Sequence, residues 1–382
     1  MTAPLEGIRV VELTTMITGP LAGMLLADLG ASVIKIENPD KGDPFRSFRG
    51  GSYGGHFLAY NRNKRSLSLD IRSSDGQATL LKLVRRSDVL IDNFRAGVLD
   101  RFGLSSERLR KENPSLIHVS ITGFGTTGPY RNRPAYDAVA QALSGVSAQF
   151  LDPEAPQVTG PTLSDNITGM YAANAILGAL FERVRTGAGK RIETSMLEAT
   201  VAFAPDAFIN FKQHGLKSTP KTRAATSQSY AFRCGDGKLI AVHLSSQPKF
   251  WEGLLGALER NDLASHPLFS SREGRIANYR QLGEELAKEF LSSSRDEWSA
   301  KLEKSDVPYA PILDVEEVMS DPQIQELGTF YCVVHPTEGK VWGIQPPYLF
   351  DGKRVGSMVA PPTLGQHTKE ILAELEAEDT GC

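Results

Sequence analysis

An acid that opens a long apolar run is the first feature of this chain able to do chemistry. Asp165 stands in "GPTLSDNITGMYAANAILGALFERV" (160–184), ahead of mostly small and apolar residues with a helical pattern. Ser164, Asp165 and Asn166 are each suited to capping such a helix, by accepting its free backbone N–H groups. The same position suits a nucleophile. Helix-start N–H groups stabilise developing negative charge, and the helix dipole keeps a carboxylate ionised. A carboxylate placed there can attack an activated acyl group and form a covalent intermediate. The residues alone leave both roles open.

Spaced positive charge is the second feature. Arg46 and Arg49 lie in "GDPFRSFRGG", Lys64 and Arg65 in "NRNKRS", and Arg72 shortly after. Arg95 and Arg101 follow in "NFRAGVLDRFGL", then Arg131 and Arg133 in "GPYRNRPAYD". Several sit just past expected strands, where open α/β sheets bind ligands. A ligand with several phosphate groups accounts for such a scatter, whereas any one of these cations alone reads as solvated surface. The whole chain is not basic. Its 382 residues carry a formal charge of −3, which opposes a nucleic-acid partner.

The elements that must position these residues alternate in the first third of the chain. Strands are expected at 8–13, 32–38, 88–94 and 116–125, with helices at 19–31, 75–87 and 105–114 between them. That alternation implies βαβ units, hence a Rossmann-like parallel sheet with helices on both faces. From 167 to about 212 the pattern is helical, broken by an extended "RIETS" (191–195). Residues 212–229 are polar and read as linker, and "YAFRCGDGKLIAVHL" (230–244) reads as a hairpin. Amphipathic helices at 275–293 and 295–305 follow, then short strands at 330–335 and 340–345 and a helix at 366–377. The expected organisation is a large α/β domain over 1–200, completed by 330–382. A linker at 201–229, a smaller α+β domain at 230–320 and a return through 321–382 complete it.

Further classes are excluded on chemistry. The loop "TTMITGPLAG" after the first strand lacks the GxGxxG glycines, so Glu37 at the end of the next strand does not make an NAD site. Cys234, Cys332 and Cys382 are far apart, which fits a reducing compartment and gives no metal-binding cluster. The opening "MTAPLEGIRV" has no leader character, and apolar runs stop short of the ~20 residues that cross a bilayer. A cytoplasmic protein without metal, NAD, nucleic-acid or membrane partner is expected.

Taken in order, "GPLAGMLLADLGASVIKIE", "GDPFR", "NKRSLSLD", "DVLIDNFRAGVLDRFGL", "SITGFGTTGPYRNRPAYDAVAQALSG", "GAGKRIETSMLEA" and "PTLGQHTKEIL" resemble the family III CoA-transferases. No single piece is specific; the ordered set is. The resemblance implies that Asp165, in "LSDNITGM", is the nucleophile of CoA transfer from an acyl-CoA donor to a carboxylic acid acceptor. Asp165 would pass through a mixed anhydride and an aspartyl-CoA thioester, with coenzyme A as substrate and no metal or NAD. It also implies that Ile17 and Thr18 line the thioester end, and that Asn38, Leu69, Arg72, Asn93, Phe94, Arg95 and Arg101 surround the nucleotide. Arg133 and Tyr136 are placed with the CoA-binding set, and Asp137 matches a second acid beside the nucleophile, although it also suits a helix cap. An interlocked homodimer is implied as well.

Departures from the family pattern bear on specificity. Formyl-CoA transferase has glutamine where this chain has Ile17 and tyrosine where it has His56, and its glycine-rich loop has no counterpart in "AVHLSSQPKFW". Ile17 beside Met16 suggests a less polar acyl group, with Arg46 or Arg49 available for a second carboxylate. The rival within the fold is α-methylacyl-CoA racemase, which carries "GHD" where this chain has "AYD". A phenol, with an ordinary pKa of about 10, is a poor base at neutral pH, so Tyr136 favours transfer. A CoA-binding scaffold without activity is the third class, and no specific residue supports it.

Overall fold

The computed structural model describes residues 2–380, which fall into two compact units. The larger unit runs to Ser147, resumes over Val158–Pro205 and includes the chain from Leu327 onward. Its elements up to the second unit are β1 (Arg9–Leu13), α1 (Thr18–Asp28), β2 (Ser32–Glu37), α2 (Gly55–Tyr60), β3 (Lys64–Ser68), α3 (Ser74–Arg85) and β4 (Val89–Asp92). They continue as α4 (Val98–Arg101), α5 (Ser106–Glu112), β5 (Ile117–Thr122), α6 (Asp137–Leu143), α7 (Leu163–Thr186), β6 (Arg191–Ser195) and α8 (Met196–Phe203).

The six strands form one parallel sheet in the order β3-β2-β1-β4-β5-β6. Strand order therefore reverses between β1 and β4, which opens a crevice beyond their carboxyl ends. Leu13 pairs with Asp92 and Asp92 with Ser120, so the loops after β1, β4 and β5 leave the sheet at nearly one level. Burial on both faces explains the β-branched and leucine-rich strands. Val10 joins the core beneath α1 and α7 with Leu26, Val119 and Ile176, whereas Val11 joins the opposite core with Leu80, Val84 and Leu109. The alternation follows from the period of two in a strand.

β3 is not among the strands expected from sequence. "KRSLS" looks like surface, yet Lys64 is 2% exposed even though β3 is an edge strand of the sheet. α1 ends at Asp28, three residues short of the expected 31, with Gly30 just beyond it in the left-handed region at φ +98.

The smaller unit comprises Ala148–Gln157 and Asp206–Glu326. It contains most of α9 (Pro205–His214), then α10 (Thr222–Ser227), β7 (Ser229–Arg233), β8 (Leu239–His243), α11 (Pro248–Leu258), α12 (Arg272–Ala277), α13 (Tyr279–Phe290), α14 (Arg295–Lys304), β9 (Tyr309–Ile312), α15 (Val315–Ser320) and α16 (Pro322–Glu326). β7, β8 and β9 make an antiparallel sheet whose buried Tyr230, Phe232, Ile240 and Val242 pack with Trp251, Phe290 and Trp298. The helix expected at 275–293 is two helices. Asn278, at ψ 29, leaves the helical region and spends its side-chain amide on the Gly274 carbonyl at 2.8 Å.

Beyond this unit, β10 (Phe330–His335) and β11 (Gly339–Ile344) pair as a hairpin, and α17 (Thr368–Thr380) belongs to the larger unit. Among the described residues no helix is long and apolar enough to cross a membrane, and no cluster of His, Cys, Asp or Glu could hold a metal.

Candidate active site

Asp165 is the third residue of α7 rather than its cap. The helix begins at Leu163, and its N-cap Thr162 makes no side-chain capping bond. The backbone N–H of Asp165 donates to Oδ1 of Asp137 at 3.1 Å. Asp137 does not cap the helix it opens either: its Oδ2 accepts from Nε2 of Gln141, one turn along α6, at 2.5 Å. Among the described residues no hydrogen bond or ion pair reaches the Asp165 carboxylate. Burial pushes its pKa up to about 7, and the negative charge of Asp137 adds to the rise. A carboxyl group in that state is poised to exchange between acid and nucleophile near neutrality.

Packing fixes where this carboxylate sits. Gly169, one turn beyond Asp165, lies so close to α1 that a Cβ there would be 2.7 Å from the Thr18 carbonyl oxygen and 2.9 Å from Leu21. The Ser164 hydroxyl bonds the Thr200 hydroxyl, joining α7 to α8. The Thr168 hydroxyl donates to the Ser164 carbonyl at 2.6 Å.

Two cavities lie along the crevice at the carboxyl ends of the strands. One, of about 380 Å³, brings Asp165 together with Ile17, Thr18, Asn93, Phe94, Arg95, Arg133 and Tyr136. The other, of about 220 Å³, is lined by Asn38, Leu69, Arg72 and Phe94, with Ile71 and Phe102. Thr15 and Phe94 border both, so the cavities adjoin at the point where strand order reverses. Arg101 lines neither; it is exposed at the end of α4. Arg72 is ion-paired with Asp70 at 2.8 Å. Arg95, Arg131 and Arg133 line the Asp165 cavity, and Arg133 lies over the Tyr130 ring at 4.7 Å.

Residues 5–368 match CoA-transferase family III. The chain belongs to that family. A succinyl-CoA:glutarate CoA-transferase from Mus musculus is 33% identical, covering 99% of this chain and 88% of the mouse protein. A succinate–glutarate CoA-transferase from Agrobacterium fabrum is 33% identical over 98% of this chain and 96% of its own length. The crystal structure of a CaiB/BaiF family protein from Brucella suis superposes with a TM-score of 0.87, at 33% identity, covering 98% of this chain and all of that one. The protein is thus a family III CoA-transferase.

Glu12, Lys35 and Asp43 were not singled out from sequence, yet with Lys64, Glu37 and Arg46 they form a buried network of three acidic and three basic side chains. Lys35 meets Glu12 and Asp43 at 3.0 Å each, and Lys64 meets Glu12 at 2.8 Å. Burial alone would push the Lys35 ammonium down, but Asp43, Glu12 and Glu37 outweigh it and hold the group charged. Arg46 is therefore not available for a substrate carboxylate. It forks onto both oxygens of Glu37 at 2.8 and 2.7 Å and bonds the Pro362 carbonyl at 3.1 Å. His56 packs against Phe45 and Phe48 and lines neither cavity. A signal for the network existed in the charged residues set inside strand patterns, such as Lys35 in "SVIKIE".

Proposed function

We propose that this transferase moves CoA from an acyl-CoA donor to a carboxylic acid acceptor through Asp165, and that both acids are short dicarboxylates. The observation that carries the mechanism is the partly buried Asp165 carboxylate, unpartnered among the described residues, in a cavity that adjoins a second one. The substrate class rests on the relatives named for succinyl-CoA and glutarate.

In this reading the adenine packs among Leu69, Ile71, Phe94 and Phe102, beside Asn38, with Arg72, Arg95 and Arg133 near the phosphates. The pantetheine arm passes Thr15 and Phe94, and the thioester reaches Ile17, Thr18 and Tyr136. Asp165 attacks the thioester carbonyl, the C–S bond breaks, and a mixed anhydride and CoA thiolate result. The thiolate then attacks the aspartyl carbonyl and releases the donor acid, leaving an aspartyl-CoA thioester. The acceptor carboxylate reverses these steps and departs as its own CoA ester. Each step exchanges one activated acyl group for another, so no external energy source enters. The protein's work is to exclude water and stabilise the oxyanions. Asp137 supports the nucleophile by fixing its backbone and raising its pKa.

The test is Asp165→Ala assayed with succinyl-CoA and glutarate. CoA binding should persist while transfer falls to background. Brief exposure of the unaltered protein to succinyl-CoA, followed by hydroxylamine, should leave a hydroxamate at Asp165 by mass spectrometry. Near-normal turnover of the variant would refute the assignment. Deuterium entering the α-carbon of a 2-methylacyl-CoA, without CoA exchange, would point to the racemase instead. We further propose that the working form is a homodimer.

A further inference from the structure

The geometry points to Asp43 as a positioning residue of the transfer reaction: it holds the loop after β1 in the one backbone conformation that walls the Asp165 cavity. This rests on the reading of Asp165 given above.

Residues 15–18 of that loop all line the cavity. Met16 at its centre has φ +67, a left-handed conformation that an unbranched side chain adopts only under constraint. The constraint comes from two sides. On one, Asn93 accepts the Thr15 N–H at 3.0 Å, donates to the Thr15 carbonyl at 2.8 Å and reaches the Thr18 hydroxyl at 3.1 Å. On the other, both carboxylate oxygens of Asp43 accept the Met16 N–H, each at 3.2 Å. Asp43 has no freedom to do otherwise. It is fully buried, it also accepts the Phe45 N–H at 2.9 Å, and Lys35 holds it at 3.0 Å. Lys35 in turn donates to the Thr14 carbonyl at 2.7 Å, so the same ion pair grips both ends of the turn.

What the clamp delivers is the entry to α1. Ile17 is the N-cap of that helix and makes no side-chain capping bond, and among the described residues no hydrogen bond is made by the first-turn N–H groups of Thr18 and Gly19. The Thr18 carbonyl lies against Gly169 of α7, one turn from Asp165. Rotating Met16 out of the left-handed region therefore displaces Ile17 and Thr18 relative to the nucleophile without touching Asp165 itself. Asp43 also borders the neighbouring cavity, so a loss of CoA affinity would be the mark of a different role.

Three variants test this with succinyl-CoA and glutarate as the assay pair. Asp43→Ala should lower kcat by about 10- to 100-fold, equal to ~1.4–2.7 kcal/mol of barrier, while the Kd for free CoA stays within about threefold. Adding Met16→Gly to Asp43→Ala should recover at least about fivefold in kcat, because glycine keeps positive φ without a clamp. With Asp43 intact, Met16→Val should lose more activity than Met16→Gly, since a β-branched residue resists that φ. The last comparison decides the matter if Asp43→Ala does not fold. An unchanged kcat in folded Asp43→Ala, a loss confined to CoA affinity, no rescue by glycine, or equal effects of valine and glycine would each overturn the role. Absence of transfer by the unaltered protein would instead defeat the proposed function.

Discussion

At the scale of single residues, the state of Asp165 sets the pH response. Only the ionised carboxylate attacks, so kcat/KM for succinyl-CoA should rise through an acid limb near pH 7, where burial and Asp137 have brought its pKa. Asp137→Asn removes the like charge yet keeps an oxygen for the Asp165 N–H, so the limb should move to lower pH; a limb that stays in place disproves the coupling. Stability has the opposite sense. The folded pKa is about 7 against a usual 3.8, so between those values the native state binds more protons and stability falls as pH rises. The full shift is worth ~4 kcal/mol. Solvent at the cavity screens part of it, so Asp165→Asn should exceed the unaltered protein by about 1–3 kcal/mol at pH 8 and by little near pH 4 in denaturant titrations. A gain independent of pH would show that the carboxylate is not the strained group. Asp165 was conspicuous in the sequence because a lone acid before an apolar run invites a question. Its place inside the helix was not, since α7 starts two residues earlier at Leu163 and Asp137 takes the N–H of Asp165 from another helix. Arg46 illustrates the converse: a cation that sequence made available to ligand is spent on Glu37.

Among the elements, the approach of α7 to α1 is what transmits precision to the site. Two glycines on α7 separate this effect from helix propensity. At Gly178 a Cβ would meet nothing within 4 Å, so Gly178→Ala should stabilise by about 0.5–1 kcal/mol through propensity alone. At Gly169 the same Cβ would press on the Thr18 carbonyl and Leu21, so Gly169→Ala should destabilise by about 1–3 kcal/mol and lower kcat as the helices part. Thermal melts of the two variants should thus move in opposite directions, with turnover falling only in Gly169→Ala, and equal melts would show that the contact is slack. β1, β2, β4 and β5 were legible because apolar runs bounded by turn residues have few alternatives. β3 was not, because its polar residues are buried in ion pairs that only the folded sheet assembles, Lys64 with Glu12 above all. Periodicity reads burial of carbon, and has no means of seeing a charge neutralised by a residue fifty positions away. The divided helix at Asn278 was lost for a local reason: the apolar spacing continues across a residue whose side chain competes for the backbone.

For the molecule as a whole, strand-helix alternation was enough to specify the parallel sheet, but not which loops would meet at its reversal point. That meeting depends on the register that sets Leu13 beside Asp92 and brings Thr15 to Asn93. α7 poses the remaining question at this scale. A helix apolar on every side is ordinarily covered on every side. One face of α7 is buried through Ala172, Ala173, Ile176 and Leu180. The other presents Met170, Leu177, Phe181 and Val184 at 60%, 36%, 67% and 85% exposure. Their spacings of seven, four and three residues place them on one stripe, and contiguous exposed apolar surface of this kind marks an association site. We propose that a second copy of the chain covers it. Light scattering after size-exclusion chromatography should then give about twice the 41.6 kDa of one chain. Replacing Phe181 and Val184 together with glutamate should return the mass to that of a single chain, because two desolvated carboxylates cannot be left unpaired in such an interface. A monomeric mass for the unaltered protein would remove the dimer, and an undisturbed dimer in the double variant would place its interface elsewhere.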